Sequence, residues 1–404
     1  METPSGWKTL KMPQVVLWSS GGTPKATERL YYENGTIPWL VIGDLNDGIV
    51  TSSASKITSL GLQNSSAKMM PDGTLLVAMY GSIGKLGITG MPCCTNQAIA
   101  FAKELYGVTT KYMFYYLSFI KPRLISAGKG GTQKNISLSV LNSLDVIVPS
   151  IDEQERIVAH IEELFSELDA GVETLQKIKQ QLTVYQQALI SASFAEAVGS
   201  DSVRLDEISV ITGGITKGRN LTGKDVIELP YLRVANVQNG YLDLSELKRI
   251  LLYRDEKDKY LLEYGDVLFT EGGDRDKLGR GTIWRNEIPD CVHQNHIFKA
   301  RIDKGKAIPE YVAYWAMSTP ARNYFYEKGK QSVNLASINK TILSALTLPL
   351  PDVDTQRSIV DHIQSRLSNC KEIEQTVEMA LQQSSAMRQS ILKQAFEGEA
   401  YAGV

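Results

Sequence analysis

The sequence predicts two α/β (α+β) domains separated by two long antiparallel coiled-coil helices, arranged as an internal two-fold pseudo-repeat. Three observations predict this fold class. The segment that begins at Lys134 is repeated by the segment that begins at Leu335, at an offset of 202 residues (356 − 154). A long run with helical period and almost no Gly or Pro follows each copy. The regions before these runs contain short β-prone stretches and turn signals instead.

The duplication divides the chain into four parts. Between Pro149 and Ile161, the second copy is identical at seven positions, where ordinary residue frequencies would give about one. These positions are Pro351, Asp354, Gln356, Ile359, Val360, His362 and Ile363. We therefore expect a first head at residues 1–150, a long helix at 151–198, a second head at 199–352 and a second long helix at 353–404.

Both predicted helices carry apolar residues at heptad spacing, which is typical of a coiled-coil seam. Asp152 and Asp354 are their predicted N-caps. The first seam comprises Ile157, Ile161, Leu164, Leu168, Leu175, Ile178, Leu182 and Leu189, with Tyr185 in the same register; the second comprises Ile359, Ile363, Ile373, Val377, Met387 and Ile391. A helix of about 45 residues is nearly 70 Å long. Since heads of this size cannot bury it on all sides, the two helices should pair.

The two heads show a fainter correspondence. Strands are predicted in the stretches TLLVAMYG and GDVLFT, and single helices at Tyr112 to Phe119 and Pro309 to Met317. Three segments of the first head have equivalents in the second: Gly73 to Val77 and Gly265 to Phe269, Asn96-Gln97 and Gln294-Asn295, and Tyr112 and Tyr311. Divergent heads on duplicated helices suggest two recognition functions built on one architecture.

Charge is segregated along the chain. The net charge is −2, from 43 basic and 45 acidic residues, and by itself argues weakly against a nucleic-acid-binding protein. However, Asp152 to Glu173 contains eight acids and one base, whereas Lys121 to Lys134 contains four bases and no acid, and Ile211 to Lys224 contains three bases and no acid. A single run of this kind is usually a solvated face. Together, the runs indicate acidic helices and basic loops.

Cysteine usage and hydropathy bear on the cellular compartment. Cys93, Cys94, Cys291 and Cys370 show no CxxC spacing, so we expect reduced, packed thiols. No apolar run approaches the roughly 18 residues that would span a bilayer, and no basic and apolar leader opens the sequence. We expect a cytoplasmic protein with no membrane partner.

Catalytic and cofactor motifs are missing from the sequence. Gly218 to Lys224 matches the first seven positions of a phosphate-binding P-loop, but Asp225 replaces the Ser or Thr that would hold magnesium. No Pro-Asp dipeptide is followed by the acid-x-Lys triplet of a metal-dependent nuclease, and no methyltransferase fingerprint occurs. His293 and His296 lack a nearby cysteine pair and are expected to cap, pack or touch DNA. We therefore predict no catalytic residue, no cofactor and no metal site.

The order of several motifs resembles the specificity subunits of type I restriction-modification enzymes. The first head contains GGTPKA from Gly21 and IPWL from Ile37, and the second contains YLRVANVQNGYLDLSE from Tyr231 and GDVLFTEGGDR from Gly265. The stretches PSIDEQERIV and PDVDTQRSIV resemble the start of the family's conserved helices. The resemblance covers essentially the whole chain.

This resemblance implies a non-catalytic DNA-recognition subunit. Each head would be a target-recognition domain that binds one half of a bipartite double-stranded DNA target in the major groove. The helices would set the spacing and dock two methyltransferase (modification) subunits, and restriction (endonuclease/translocase) subunits would join the full complex. Two alternatives remain open at this point: a non-DNA scaffold with two ligand-binding domains on a helical hairpin, and the recognition part of a single-chain modification enzyme.

If the heads bind DNA, their loops should present Arg to guanine and Asn or Gln to adenine, with Lys on phosphates. The candidates in the first head are Lys85, Asn96, Gln97, Lys129, Gln133 and Lys134, and those in the second are Lys217, Arg219, Arg275, Lys277, Arg280, Gln294, Asn295 and His296. Tyr31, Trp39 and Tyr80 are candidate apolar contacts in the first head.

Overall fold

The computed structural model describes residues 6–128, 135–221, 225–273, 278–331 and 336–397. The chain divides into two compact units, residues 1–175 with 379–404 and residues 176–378. Each unit therefore combines one head with a part of each long helix. Two α/β heads and two long helices confirm the predicted fold class.

In its described residues, the first head contains short strands and three α-helices. Its strands are β1 (Lys8–Lys11), β2 (Val16–Ser20), β3 (Ile37–Leu40), β4 (Gly48–Val50), β5 (Lys56–Ile57), β6 (Leu75–Ala78), β7 (Leu86–Thr89), β8 (Cys94–Thr95), β9 (Ile99–Leu105) and β10 (Asp145–Val148). Its helices are α1 (Ser59–Gln63), α2 (Thr110–Ala127) and α3 (Leu138–Asn142), and the long helix α4 (Ile151–Ser193) follows. The predicted helix Tyr112 to Phe119 lies inside α2, which is longer than predicted.

The second head repeats this plan. Its strands are β11 (Ser202–Arg204), β12 (Ser209–Gly213), β13 (Val226–Leu232), β14 (Lys248–Tyr253), β15 (Val267–Thr270), β16 (Gly272–Gly273), β17 (Gly281–Ile283), β18 (Val292–His293), β19 (Ile297–Ile302), β20 (Lys330–Gln331), β21 (Ala336–Ser337) and β22 (Thr347–Pro349). Its helices are α5 (Lys257–Tyr260), α6 (Pro309–Met317), α7 (Thr319–Lys328) and α8 (Lys340–Ser344), and the long helix α9 (Val353–Glu397) follows. The predicted helix Pro309 to Met317 matches α6.

Sheet topology shows that the two heads share one design. In the first head, the main sheet has the order β2-β9-β6-β7-β4, and a smaller sheet has the order β5-β3-β8. In the second head, the corresponding orders are β12-β19-β15-β17 and β14-β13-β18. The terminal strands of each head also pair, β1 with β10 and β11 with β22. The duplication seen in the helices therefore extends through the heads.

A buried glutamine anchors the start of each long helix to its head, which explains why this residue is duplicated. The Gln154 amide accepts a hydrogen bond from Thr109 N–H at 2.9 Å and donates one to the Gly107 carbonyl at 2.9 Å. Gln356 accepts from Ile308 N–H at 2.9 Å in the same way. Both glutamines are fully buried, so each satisfies backbone groups that would otherwise lose hydrogen bonds on burial.

The helix N-caps lie two residues earlier than predicted. Ser150 Oγ accepts from Glu153 N–H at 3.3 Å, and Asp352 Oδ1 accepts from Thr355 N–H at 3.0 Å. The prediction of Asp152 and Asp354 was wrong because the helices begin at Ile151 and Val353. Asp152 then lies in the first turn, where its charge still favours the helix dipole.

In the second unit, α4 and α9 pair in antiparallel orientation. Lys179 Nζ lies 2.9 Å from Glu378 Oε2, and Gln186 Nε2 donates to Glu374 Oε1 at 3.1 Å. Leu182 is buried between these contacts. In the first unit, the Arg388 guanidinium binds the Asp169 carboxylate and lies 4.6 Å from the ring centroid of Phe165.

Three residues placed in the predicted seam are exposed instead. Tyr185 is 47% exposed, Ile373 46% and Met387 55%. For Ile373 and Met387, the next residue, Glu374 or Arg388, makes the contact with α4. A straight helix drifts relative to a strict seven-residue repeat, which moves the contact by one position. The buried residues of the predicted seam are Ile157, Ile161, Leu182, Ile359, Ile363 and Val377, and the half-buried ones are Leu164, Leu168, Leu175, Ile178, Leu189 and Ile391.

Two further expectations concern the thiols and the membrane. All four cysteines are buried and free, as predicted, and burial raises the pKa of the Cys93 thiol to about 11. Across the described ranges, no helix is both long and apolar enough to cross a membrane.

Candidate nucleic-acid interface

Three loops of the first head are joined by backbone hydrogen bonds at one end of its main sheet. They are residues 21–25, 79–85 and 95–98, and we call them the first-head loop cluster. Gly22 N–H donates to the Thr95 carbonyl at 2.9 Å, and Met79 N–H donates to the Ala98 carbonyl at 2.8 Å. Because these bonds continue the pairing of the strands, the loops are held by the rigid sheet.

The second head assembles the same three loops. The second-head loop cluster consists of residues 214–219, 270–273 with 278–280, and 293–296. Ile215 N–H donates to the His293 carbonyl at 2.8 Å, and Glu271 N–H donates to the His296 carbonyl at 2.9 Å. The two clusters therefore share these crossing hydrogen bonds, although their sequences differ.

A glycine makes each loop crossing possible. A Cβ added at Gly21 would overlap the Thr95 carbonyl oxygen, and a Cβ added at Gly214 would overlap the His293 carbonyl oxygen. Only a residue without a side chain allows the backbones to approach this closely. Gly21 and Gly214 are thus requirements of the loop geometry.

The structure brings the predicted Asn96 and Gln97 to the centre of the first-head loop cluster. Asn96 is half-buried, and its Oδ1 accepts from Ala98 N–H at 3.1 Å, which shapes the turn. Gln97 is exposed, and its Oε1 accepts from the Thr23 hydroxyl. Among the described residues, neither amide NH₂ group has a hydrogen-bond partner, so both can bind a base edge or a phosphate.

Gln294, Asn295 and His296 occupy the equivalent positions in the second-head loop cluster. Gln294 N–H donates to the Leu232 carbonyl at 2.9 Å, as Asn96 N–H does to Leu40 at 3.0 Å. His296 is exposed, and its Nδ1 contacts Glu271. The structure therefore groups three predicted residues on one short turn.

Lys85 and Arg280 lie at matching positions of the two hairpins. The Lys85 carbonyl accepts from Ala78 N–H at 2.8 Å, and the Arg280 carbonyl accepts from Thr270 N–H at 2.8 Å. The Arg280 guanidinium donates to Gln238 Oε1 at 3.0 Å. A basic residue is thus present at the same place in each cluster.

Two predicted bases of the second head differ in their availability. Lys217 is exposed. Arg219 lies 2.7 Å from Glu256 and 5.3 Å from the ring centroid of Tyr253. Its hydrogen bond with Glu256 raises the pKa of Arg219. The charge of Arg219 is therefore partly neutralised by its own head, which makes it a weaker phosphate ligand than Lys217.

The P-loop match also has an explanation in the described residues. Asp225, which replaces the magnesium ligand of a P-loop, forms an ion pair with Arg254 at 2.7 Å. Within the described ranges, no group of three or more His, Cys, Asp or Glu residues has a metal-binding arrangement.

Five predicted DNA-contact residues lie outside the described residues, namely Lys129, Gln133, Lys134, Arg275 and Lys277. The neighbouring residue Ile136 donates from its N–H to the Met79 carbonyl at 2.8 Å. The described residues that directly follow residue 134 therefore adjoin the first-head loop cluster.

Two of the candidates, one tryptophan and one histidine, are buried and support the fold. Trp39 is 9% exposed, and its Nε1 donates to the Gly22 carbonyl at 3.0 Å, so it supports the loop from below. His293 is fully buried, and its Nδ1 donates to the Tyr260 carbonyl at 3.2 Å. Burial, together with the charge of Lys299, lowers the pKa of His293 to about 4, which keeps the ring neutral. Tyr31 is half-buried, whereas Tyr80 is exposed within the first-head loop cluster.

Sequence reasoning missed three residues of the clusters. Thr23 and Lys25 are exposed on the first loop of the first head, and Glu271 faces His296 in the second. The sequence contains a signal for Lys25, because GGTPK in the first head and GGITK in the second both place a Lys a few residues after a glycine pair. For Glu271 no local signal exists, because its neighbour is 25 residues away in sequence.

Comparison with protein families gives matches over both halves of the chain. Residues 4–183 and 198–383 match the family described as "Type I restriction modification DNA specificity domain". The chain is 24% identical to the type I restriction enzyme StySPI specificity subunit of Salmonella potsdam, over 98% of this chain and 89% of that protein. It is 22% identical to the EcoKI specificity subunit of Escherichia coli strain K12, over 98% of this chain and 89% of that protein.

Solved structures show the same fold at low sequence identity. A chain from the structure described as "Structural basis underlying complex assembly and conformational transition of the type I R-M system" aligns with a TM-score of 0.72 and 17% identity, covering 99% of this chain and 100% of that one. The HsdS subunit of Thermoanaerobacter tengcongensis aligns with a TM-score of 0.52 and 18% identity, covering 99% and 98%. The predicted resemblance is thereby confirmed.

Proposed function

The chain belongs to the type I restriction modification DNA specificity family, and we propose that each of its heads binds one half of a bipartite duplex DNA target through its loop cluster. The observation that carries this proposal is the double construction of the same three loops with different side chains at their tips. Equivalent backbones with Asn96-Gln97 in one head and Gln294-Asn295 in the other suit two different base sequences.

The chemistry of the loop clusters supports binding in the major groove. Residues 21–25, 79–85 and 95–98 contain two lysines and no acid. Amide side chains can form bidentate hydrogen bonds with adenine, whereas lysines bind phosphates and fix position. We propose that Lys25, Lys85 and Lys217 mainly position the DNA, and that Gln97, Gln294 and Asn295 contribute to base selection. Because the substrate is duplex DNA, we expect the complex to act in the cytoplasm.

We further propose that methyltransferase subunits dock on the two long helices, and that restriction subunits join the complete assembly. Exposed apolar side chains on these helices support the docking. Val184 is 70% exposed, Ile373 46% and Met387 55%, although a helix in water normally presents polar residues there. On this reading, the chain supplies recognition, and its partners supply methylation and cleavage.

A non-DNA scaffold would use the same helices but would not need basic, amide-rich loop tips. Affinity for duplex DNA separates the two functions. We expect the complex of this chain with its methyltransferase to bind a duplex that contains its target, with an affinity that falls steeply as salt increases. Methylated-base sequencing of host DNA should show a bipartite motif. Salt-independent binding, or methylation without any sequence preference, would contradict the proposal.

A further inference from the structure

The second-head loop cluster carries a side-chain pair that its equivalent positions in the first head lack. His296 Nδ1 lies 2.5 Å from Glu271 Oε2, and the Glu271 N–H donates to the His296 carbonyl at 2.9 Å. The equivalent residues are Met79 and Ala98, which share only the backbone hydrogen bond, at 2.8 Å. The two heads therefore share the backbone hydrogen bond at this place, but only the second head has the side-chain pair.

We propose that His296, oriented by Glu271, is a base-selecting residue of the second head and that it accepts a hydrogen bond from an exocyclic amino group, on adenine or cytosine. The proposal rests on the proposed DNA-reading function. It assigns Glu271 as the positioning residue and His296 as the residue that contacts the base.

The neighbours of His296 determine which ring nitrogen carries the proton. A carboxylate only accepts hydrogen bonds, so Nδ1 must donate to Glu271. The Asn295 amide nitrogen, which only donates, lies 3.4 Å from Nε2. The proton on Nδ1 leaves one lone pair on Nε2, and a base amino group that binds there takes the place of the Asn295 amide.

An acceptor at this position discriminates between bases in the major groove. Adenine presents the N6 amino group and cytosine the N4 amino group, both of which donate. Guanine O6 and thymine O4 only accept, so either would face the Nε2 lone pair without a hydrogen bond. His296 should therefore favour an amino base at one position of the second half-site.

Burial and backbone contacts suit this role. The His296 side chain is 53% exposed, so it can reach DNA, whereas Glu271 is 30% exposed. Thr270 and Ile297 form the last register pair of β15 and β19, so Glu271 directly follows β15 and His296 directly precedes β19. The Glu271 carbonyl also accepts from Ile338 N–H at 2.8 Å. The pair is thus preorganised before DNA arrives.

The first experiment maps methylated sites produced by the chain in complex with its methyltransferase. H296A should reduce the base preference at one position of the second half-site by about tenfold or more and leave the preferences of the first half-site unchanged. E271A should relax the same position. E271Q should retain selectivity, because the glutamine oxygen still accepts from Nδ1. E228Q serves as the control, since Glu228 forms an exposed ion pair with Arg249 in the same head.

The second experiment removes single amino groups from the DNA. Adenines of the second half-site are replaced one at a time by purine, and cytosines by 2-pyrimidinone, and affinity is measured for the wild-type and H296A complexes. One such deletion should weaken wild-type binding about tenfold and leave H296A binding unchanged, because the contact is already lost. The identity of the sensitive base distinguishes adenine from cytosine.

The possible outcomes separate this inference from the proposed function. If every amino deletion weakens the wild-type and H296A complexes equally, or if H296A changes no base preference, the inference is overturned while DNA reading stands. If the wild-type complex shows no sequence preference at all, the proposed function fails first. E271Q behaving like E271A would overturn the positioning role of Glu271.

Discussion

The ring of Phe396 lies edge-on against the ring of Tyr112, with 5.5 Å between the centroids. Phe396 belongs to the last turn of α9, and Tyr112 to the helix α2 of the first head. The second unit repeats this contact between Phe194, which directly follows α4, and Tyr311, at 5.2 Å. The core of each head is therefore completed by the end of the long helix that follows the other head in sequence.

F396A should destabilise the first unit by about 3–5 kcal/mol, because the buried ring would leave a cavity in the core. Phe396 is fully buried and contacts Tyr116 and Phe119 as well. Hydrogen exchange measured by mass spectrometry should be faster in α2 of F396A than in α2 of the wild type. K393A, an exposed change on the same helix, should alter stability by less than about 1 kcal/mol. Equal exchange in F396A and wild type would contradict the packing account.

The heptad pattern predicted the long helices and some of their buried residues, such as Ile161 and Ile363, but not the register of their contact. Ile373 and Met387 are apolar and correctly spaced, yet Glu374 and Arg388 face α4. Hydrophobicity alone could not indicate this, because the contacts at those positions are a hydrogen bond to Gln186 and an ion pair. Pair-specific polar contacts depend on the partner helix and are not visible in one helix sequence.

The loop clusters were predictable only in part, for a different reason. Asn96-Gln97 and Gln294-Asn295 were identified because they recur in the internal repeat. Trp39, a candidate apolar contact, is buried under the loop, since exposure cannot be deduced from an aromatic residue in a short strand. Loop convergence depends on sheet register between segments far apart in sequence, which local patterns do not encode.

G214A should abolish recognition of the second half-site, because the new Cβ would overlap the His293 carbonyl and push the loops apart. The adjacent Gly213 provides a matched control. A Cβ at Gly213 has no atom nearer than the Asn295 carbonyl oxygen at 4.0 Å. Methylated-site sequencing should therefore show an intact motif for G213A and a lost or degenerate second half-site for G214A. Equal activity of the two variants would show that the crossing is not required.

Stability of the second head should decrease below neutral pH because of His293. Burial lowers the pKa of His293 from 6.5 to about 4. Between these values the unfolded chain binds the proton and the folded head does not, so stability falls as pH falls from about 6.5 towards 4. Between pH 7 and pH 5, His293 should lower the unfolding free energy of the second head by about 2 kcal/mol.

The measurement for His293 is urea unfolding of the wild type and H293Q at pH 7 and pH 5, with hydrogen exchange to localise the effect. The unfolding free energy of H293Q should fall less between pH 7 and pH 5 than that of the wild type, even if H293Q is less stable at pH 7. H296Q is the control, since His296 is exposed. A pH slope that is unchanged in H293Q would contradict the buried, neutral histidine.

Replacing exposed apolar residues of α9 with glutamate should weaken methyltransferase docking. We expect I373E or M387E to reduce copurification of the methyltransferase at least tenfold, while the unfolding free energy changes by less than about 0.5 kcal/mol. Q382E introduces the same charge at an exposed polar position of α9. If I373E and M387E retain the methyltransferase as well as Q382E does, the partner binds elsewhere.

The most direct test of the central claim is to exchange one head and sequence the methylated DNA. Lys8 and Val148 form a register pair at the ends of β1 and β10, so residues 8–148 can be replaced at adjacent points. The replacement comes from another family member and retains an aromatic residue at the position of Tyr112 to pack on Phe396. Independent reading predicts that one half of the bipartite motif changes to that of the donor, while the other half remains intact. A change in both halves, or in neither, would contradict it.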